Sequence, residues 1–178
     1  VTLPFFTIGH SNRSFQEFVD LLIEPRVERL VDIRKFPGSR ANPQFNQDVL
    51  PKALAAFDIS YEHVGALGGR RGKGERLPRD VNGFWTNESF HNYADYALSP
   101  EFHAGLEHLI EEGHRKRCAI MCSEAVWWRC HRRIVTDYLI AAGQTVFHIM
   151  GKGRLDPAKL TPGAAIRSGG MVVYPAVQ

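Results

Sequence analysis

Short strand-like runs alternate with stretches of helical spacing along the whole of this 178-residue chain, and that alternation restricts the architecture more than any other feature. Strands are expected at 5–8, 30–33, 59–64, 118–122 and 145–149. Between them, Ser14-Phe15-Gln16-Glu17 has capping-box spacing ahead of an apolar stripe of Phe15, Phe18, Val19 and Leu22. Residues 48–57 read as a helix capped by Asp48 with Pro51 in its first turn, and Ser99-Pro100 opens another by cap plus N1 proline. Helical patterns also cover 88–97 and 131–142, with Gly143 ending the latter. Cys118-Ala119-Ile120-Met121-Cys122 is almost wholly apolar, as required of a strand covered on both faces. The economical solution is a single α/β domain over 1–178, a three-layer sandwich with a mostly parallel, Rossmann-like sheet. Met171 to Tyr174 is expected to pair at an edge of that sheet.

Residues 65–87 break the rhythm. They are rich in glycine and arginine, have no sustained apolar period, and read as a loop or lid. The stretch lacks the G-x-x-x-x-G-K-[ST] arrangement, which disfavours nucleoside triphosphate hydrolysis. Its cations Arg70, Arg71, Lys73, Arg76 and Arg79 form one basic cluster, and Arg129, Arg132 and Arg133 form a second around Cys130 and His131. The net charge of only +3, from 22 basic and 19 acidic residues, conceals both. Such clusters suit an anionic partner, so DNA, RNA or a nucleotide is the expected ligand, unless they are solvated surface. Phe84-Trp85 and Tyr93 with Tyr96 are candidates to stack on bases, or else core.

Ligands of open parallel sheets bind beyond the carboxyl ends of the strands, which gathers His10, Asp32, Arg34, the glycine-rich segment, Cys122 and Glu124 at one edge. Asp32 and Arg34 share a face and form either an ion pair that pins the following turn or a ligand grip. Arg40 sits in the polar stretch after it. Cys122 is a nucleophile if arginines and a helix N-terminus lower its pKa, and a buried strand end otherwise. Glu124, beside Trp127 and Trp128, suits acid or base work, with Asp32 as the ionised partner for cleavage of an N-glycosidic bond. His10 is a proton carrier, a phosphate contact or a buried hydrogen-bonding group. Six residues separate Cys122 from Arg129, one more than in the loop of cysteine phosphatases. Cys122, Cys130 and His131 match no zinc spacing, and neither a metal nor a cofactor is expected.

Three cysteines are too few for a disulfide-built scaffold and fit a reducing cytoplasm, and no segment is apolar enough to cross a membrane. The motifs Thr7-Ile8-Gly9-His10-Ser11, Val31-Asp32-Ile33-Arg34 with Pro37, Ser39-Arg40 and Asn42-Pro43-Gln44-Phe45, Leu67-Gly68-Gly69-Arg70, Phe90 with Tyr93-Ala94 and Tyr96, and Cys122-Ser123-Glu124-Ala125 followed by Arg129-Cys130-His131-Arg132 span nearly the whole chain. In this combination the sequence resembles the bacterial family labelled domain of unknown function 488. The resemblance implies a compact α/β fold and one polar site that joins His10, Asp32, Arg34, Arg40, Gly69, Arg70, Tyr93, Cys122, Glu124, Cys130, His131 and Arg132. It names no reaction. The leading expectation is a hydrolase of DNA-repair type that excises a base, with Glu124 acting on protons and Arg34, Arg70 and Arg132 on phosphate. The competing expectations are a noncatalytic nucleic-acid-binding protein and a cysteine-dependent sulfur or phosphoryl enzyme.

Overall fold

The computed structural model describes residues 2–72, 74 and 77–176. Lys73 and Arg76 of the first basic cluster lie outside the described residues. The strands β1 (Phe5–Gly9), β2 (Arg29–Asp32), β3 (Ser60–His63), β4 (Cys118–Cys122), β5 (Val146–Gly151) and β6 (Arg154–Pro157) form one sheet in the order β3-β2-β4-β1-β5-β6. All pairings among β1 to β5 are parallel, and β6 closes one edge antiparallel to β5.

Helices cover both faces, because side chains in a strand alternate between them. Phe5, Val31, Ile33 and Ile120 pack with α3 (Glu88–Tyr96), α4 (Pro100–Arg115) and α5 (Arg132–Ala141) through Tyr93, Phe102, Leu109, Ile134 and Tyr138. Phe6, Ile8, Leu30 and Met121 point the other way, onto α1 (Phe15–Ile23) and α2 (Leu50–Ala55) through Phe18, Leu22 and Leu54. Each of these side chains, removed from water, contributes roughly 1.5–3 kcal/mol before entropy is counted. The three-layer α/β sandwich is therefore the observed architecture.

Local signals explain most boundaries. Ser14 accepts from the Glu17 amide and Glu17 reaches back to the Ser14 amide, completing the capping box of α1. Ser99 caps α4 with Pro100 at its first position. Asp48 does not cap α2: Val49 occupies that position without a side-chain bond, and Pro51 in the first turn, which has no N–H to satisfy, starts the helix.

The expected edge pairing of Met171 to Tyr174 needs correction. Val172–Val173 (β8) pairs with Ala165–Ile166 (β7) in a separate two-stranded sheet rather than at an edge of the main one. Tyr174 then buries itself against Trp85 and donates to Asp137 Oδ2. Within 65–87, Gly65–Leu67 and Arg79–Asn82 are 3-10 turns. The first is pinned by the Tyr93 and Tyr96 hydroxyls, which donate to the Leu67 and Ala66 carbonyls at 2.7 and 2.6 Å. Arg71 lies over the Tyr96 ring and donates to the Gly65 and Gly68 carbonyls, so this cation ties the segment together. Trp85, enclosed by Phe84, Phe90 and Tyr174, is a core ring, and Tyr93 is buried with it.

Candidate active site

Two neighbouring strands send their chains in opposite directions across the sheet. After β1 the chain turns into α1 on one face, whereas after β4 it turns into α5 on the other. This divergence opens a crevice at the carboxyl ends of β1 and β4. The cleft there has a volume of about 430 Å³. His10 arrives from β1, Arg34 from β2, and Cys122 and Glu124 from β4. The amides of His10 and Ser11 donate to the Cys122 and Ser123 carbonyls at 2.9 and 3.0 Å, locking the two strand ends in register. Gly9 makes this possible, since a Cβ there would sit 1.7 Å from the Glu124 carbonyl oxygen.

Asp32 is fully buried and does not line the cleft. Its Oδ1 accepts from the Arg34 amide and Nε at 3.1 and 2.9 Å, and its Oδ2 from Arg34 Nη2 at 2.7 Å and from the Tyr61 hydroxyl. Burial, then the Asp32 charge, raises the Tyr61 pKa, which keeps that hydroxyl a donor. Arg34 Nη2 also donates to the Phe45 carbonyl, and Nη1 lies 3.4 Å from His10 Nε2. A guanidinium has five N–H donors. Four are thus committed, and the fifth, on Nη1, is left for the cleft.

His10 stacks on Phe45 at 4.5 Å, and its Nδ1 is 2.8 Å from the Ser11 carbonyl. A carbonyl only accepts, so Nδ1 carries the proton and Nε2 the lone pair that faces Arg34. Burial lowers the His10 pKa below its ordinary value, with Arg34 adding to the effect against the Ser11 bond.

Behind Cys122 stands Arg132, whose side chain has no solvent exposure. Its Nη1 donates to Cys122 Sγ and to the Glu124 carbonyl, both at 2.7 Å, and its Nη2 to the Ala125 carbonyl at 3.2 Å. Nε finds no partner, and among the described residues no carboxylate lies within ion-pair distance of this cation. Burial pulls the Arg132 pKa down to about 9, partly offset by the more distant Glu124, which leaves the group charged at neutral pH.

Cys130 closes the far wall. Its sulfur is paired with that of Cys122 as a disulfide, leaving Cys118 as the free cysteine. Burial raises the Cys118 thiol to about 12, so it is inert beside them. Three cysteines thus yield one pairing inside the cleft rather than a scaffold bridge. His131 Nε2 is 2.8 Å from the Ile33 carbonyl and its Nδ1 is 3.5 Å from Cys130 Sγ. Gly69 lies flat on this ring, where a Cβ would come within 2.8 Å of Nδ1. Buried surroundings lower the His131 pKa to about 4, against the pull of its bond to Ile33.

Of the residues singled out in the sequence, the structure brings His10, Arg34, Gly69, Arg70, Tyr93, Cys122, Glu124, Arg129, Cys130 and His131 to the cleft wall. Asp32 and Arg132 stand behind it, and exposed Arg40 is not part of the lining. Sequence reasoning missed Lys35, Phe36, Ser39 and Ser89 on the wall. Lys35 and Phe36 follow Arg34 directly, and that adjacency was the available signal. A 3-10 turn at Trp127–Arg129 precedes α5, which starts within one residue of the helix expected over 131–142. Among the described residues no group of three His, Cys, Asp or Glu side chains is arranged to hold a metal ion, and no helix is long and apolar enough to cross a membrane.

No curated protein and no solved structure matches the sequence. The sequence model of one family, Domain of unknown function DUF488, matches residues 14–139, well over half of the chain. That span holds every named wall residue except His10, and the chain belongs to this family.

Proposed function

We propose that the protein is a hydrolase in which the reduced Cys122 thiolate attacks a phosphate-bearing substrate of the nucleotide or nucleic-acid class. The observation that carries the reading is Arg132: a buried cation without a carboxylate at ion-pair distance, donating at 2.7 Å to Cys122 Sγ. An opposite charge at that range favours the ionised thiol. Arg34 Nη1, Lys35, Arg70 and Arg129 surround the cleft with positive charge, which stabilises a transition state that gains negative charge. Phe36 and Trp128, two well-exposed aromatic rings, lie on and next to the cleft wall and suit a base. In the covalent step the S–P bond forms as the P–O bond to the leaving alcohol breaks. Glu124 protonates the departing oxygen, and water then cleaves the S–P bond and restores the thiolate.

Excision of a base is the second reading, favoured by one observation: among the described residues, Glu124 is the one carboxylate that lines the cleft. A glycosidic transition state is cationic, however, and both Asp32 oxygens are turned to Arg34 and Tyr61, so this cleft supports it less well. Nucleotides and short oligonucleotides, supplied to reduced protein while phosphate and base release are followed together, separate the readings. Phosphate release is expected to be abolished in Cys122→Ser and to fall by roughly 10²–10⁴-fold in Glu124→Gln. Base release that survives Cys122→Ser and disappears in Glu124→Gln installs the glycosidic mechanism instead. Salt-sensitive binding with no turnover on any substrate leaves a noncatalytic nucleic-acid-binding protein.

A further inference from the structure

The sulfur that the proposed reaction needs as a thiolate is the one paired with Cys130. Both cysteines line the same cleft, but their surroundings differ in kind. Cys122 Sγ receives the Arg132 guanidinium, a fixed charge. Cys130 Sγ receives the Arg132 backbone amide at the first turn of α5, at 3.4 Å, and faces His131 Nδ1 at 3.5 Å. The Ile33 carbonyl, an acceptor only, holds the His131 proton on Nε2, so Nδ1 presents a lone pair toward Cys130. Gly69 against the ring and Tyr93 at 5.0 Å keep the imidazole in that orientation. One cysteine is set up to be ionised, the other to be deprotonated on demand.

We propose that Cys122 and Cys130 are a reversible oxidation site, Cys122 as the residue that reacts with a hydroperoxide and Cys130, with His131 as its proton relay, as the residue that resolves the product into a disulfide. In the first step the Cys122 thiolate attacks the hydroperoxide, an S–O bond forms, the O–O bond breaks, and the leaving oxygen takes a proton from solvent, giving a sulfenic acid and an alcohol or water. In the second, the Cys130 sulfur attacks the Cys122 sulfur as its proton passes through His131 Nδ1 to the departing hydroxyl, which leaves as water. Two electrons pass from the cysteine pair to the peroxide, and a small dithiol returns them by exchange. The disulfide removes the nucleophile and protects it from irreversible oxidation. This inference shares with the proposed function the ionised state of Cys122, but it does not require that any substrate be turned over.

The test treats the fully reduced chain with hydrogen peroxide near neutral pH and maps cysteine products by nonreducing peptide mass spectrometry, with dimedone present to trap sulfenic acid. The wild type is expected to give a Cys122–Cys130 linked peptide that dithiothreitol reverses, with Cys118 unmodified. Cys130→Ser is expected to accumulate dimedone-labelled Cys122 and then its sulfinic acid. His131→Gln is expected to oxidise at Cys122 at the wild-type rate and to close the disulfide at least roughly tenfold more slowly. Direct passage of wild-type Cys122 to sulfinic acid, or closure as fast in His131→Gln as in the wild type, overturns the inference. Because these readouts follow sulfur alone, they separate the two proposals. A disulfide that forms while Cys122→Ser retains turnover sinks the proposed function only. Turnover lost in Cys122→Ser without any disulfide in the wild type sinks the redox pair only.

Discussion

Two buried arginines sit within one site and are handled in opposite ways. Arg34, 6% exposed, is gripped by both oxygens of Asp32, whereas Arg132, at 0%, meets two carbonyls and a sulfur but no carboxylate at ion-pair distance. Burying a charge is tolerated when it is paired and hydrogen-bonded. Arg34 meets that condition inside the fold, and its one spare donor is what remains for a ligand. Arg132 has no such partner in the fold, where its contacts are neutral carbonyls and the Cys122 sulfur. The difference teaches that similarity in sequence, two arginines near strand ends, conceals a division between a cation neutralised within the fold and one left without a carboxylate at ion-pair distance.

The comparison is broken most severely at Asp32. Asp32→Asn leaves the Arg34 charge buried with a neutral neighbour and is expected to cost about 3–5 kcal/mol, read from the midpoint of urea unfolding. An unchanged midpoint would show that the pair is not what holds Arg34. Gly9→Ala forces the strand ends carrying both arginine environments apart, since its Cβ would overlap the Glu124 carbonyl. A loss of about 1–3 kcal/mol is expected by the same measurement.

Arg132→Met sharpens the contrast. It strands the Glu124 and Ala125 carbonyls, a cost of about 1–3 kcal/mol, yet removes a costly buried charge, so the net loss should be less than half that of Asp32→Asn. Its larger effect falls on chemistry. Iodoacetamide alkylation of reduced Cys122 at pH 7, in a Cys118→Ser/Cys130→Ser background, is expected to slow roughly tenfold or more once no guanidinium at the sulfur favours the thiolate. Equal alkylation with and without Arg132 would remove the support for an activated thiolate.

A further effect is the pH dependence that burial and the Arg132 charge impose on His131 and on His148, whose ring bonds Thr7 and stacks on Trp127. Burial lowers the pKa of His131 and of His148 to about 4, and the Arg132 charge deepens both shifts. Between about 6.5 and about 4 the unfolded chain binds protons at these imidazoles that the folded chain refuses, so stability falls as pH drops through that window. The slope is at most roughly 1.4 kcal/mol per pH unit for each group. Arg132→Met should flatten it, and urea midpoints at pH 7 and pH 5 measure the change.

Much of the fold was legible because its signals are local. The capping box at Ser14 and the apolar run through β4 dictate helix and buried strand wherever they lie in the chain. The ends were less so: β6 carries no apolar alternation, and β7 and β8 pair with each other beside Tyr174, which bonds Asp137 and packs on Trp85. In the site, position was legible and role was not. Asp32 and Glu124 are both carboxylates after strands, yet one is sealed behind Arg34 while the other opens on the cleft.

The sequence by itself determined the alternation of strands and helices, and with it the sheet edge where His10, Arg34, Cys122 and Glu124 gather, because strand ends of a parallel sheet share one side. Tertiary structure alone decided which charges are spent and which are free. Neutralisation of Arg34 by Asp32 spans two residues, but the approach of Arg132 to Cys122 spans ten and follows from where α5 docks. Electrostatic pairing in a buried site depends on distances of a few ångströms between elements, and no periodicity along a chain encodes them.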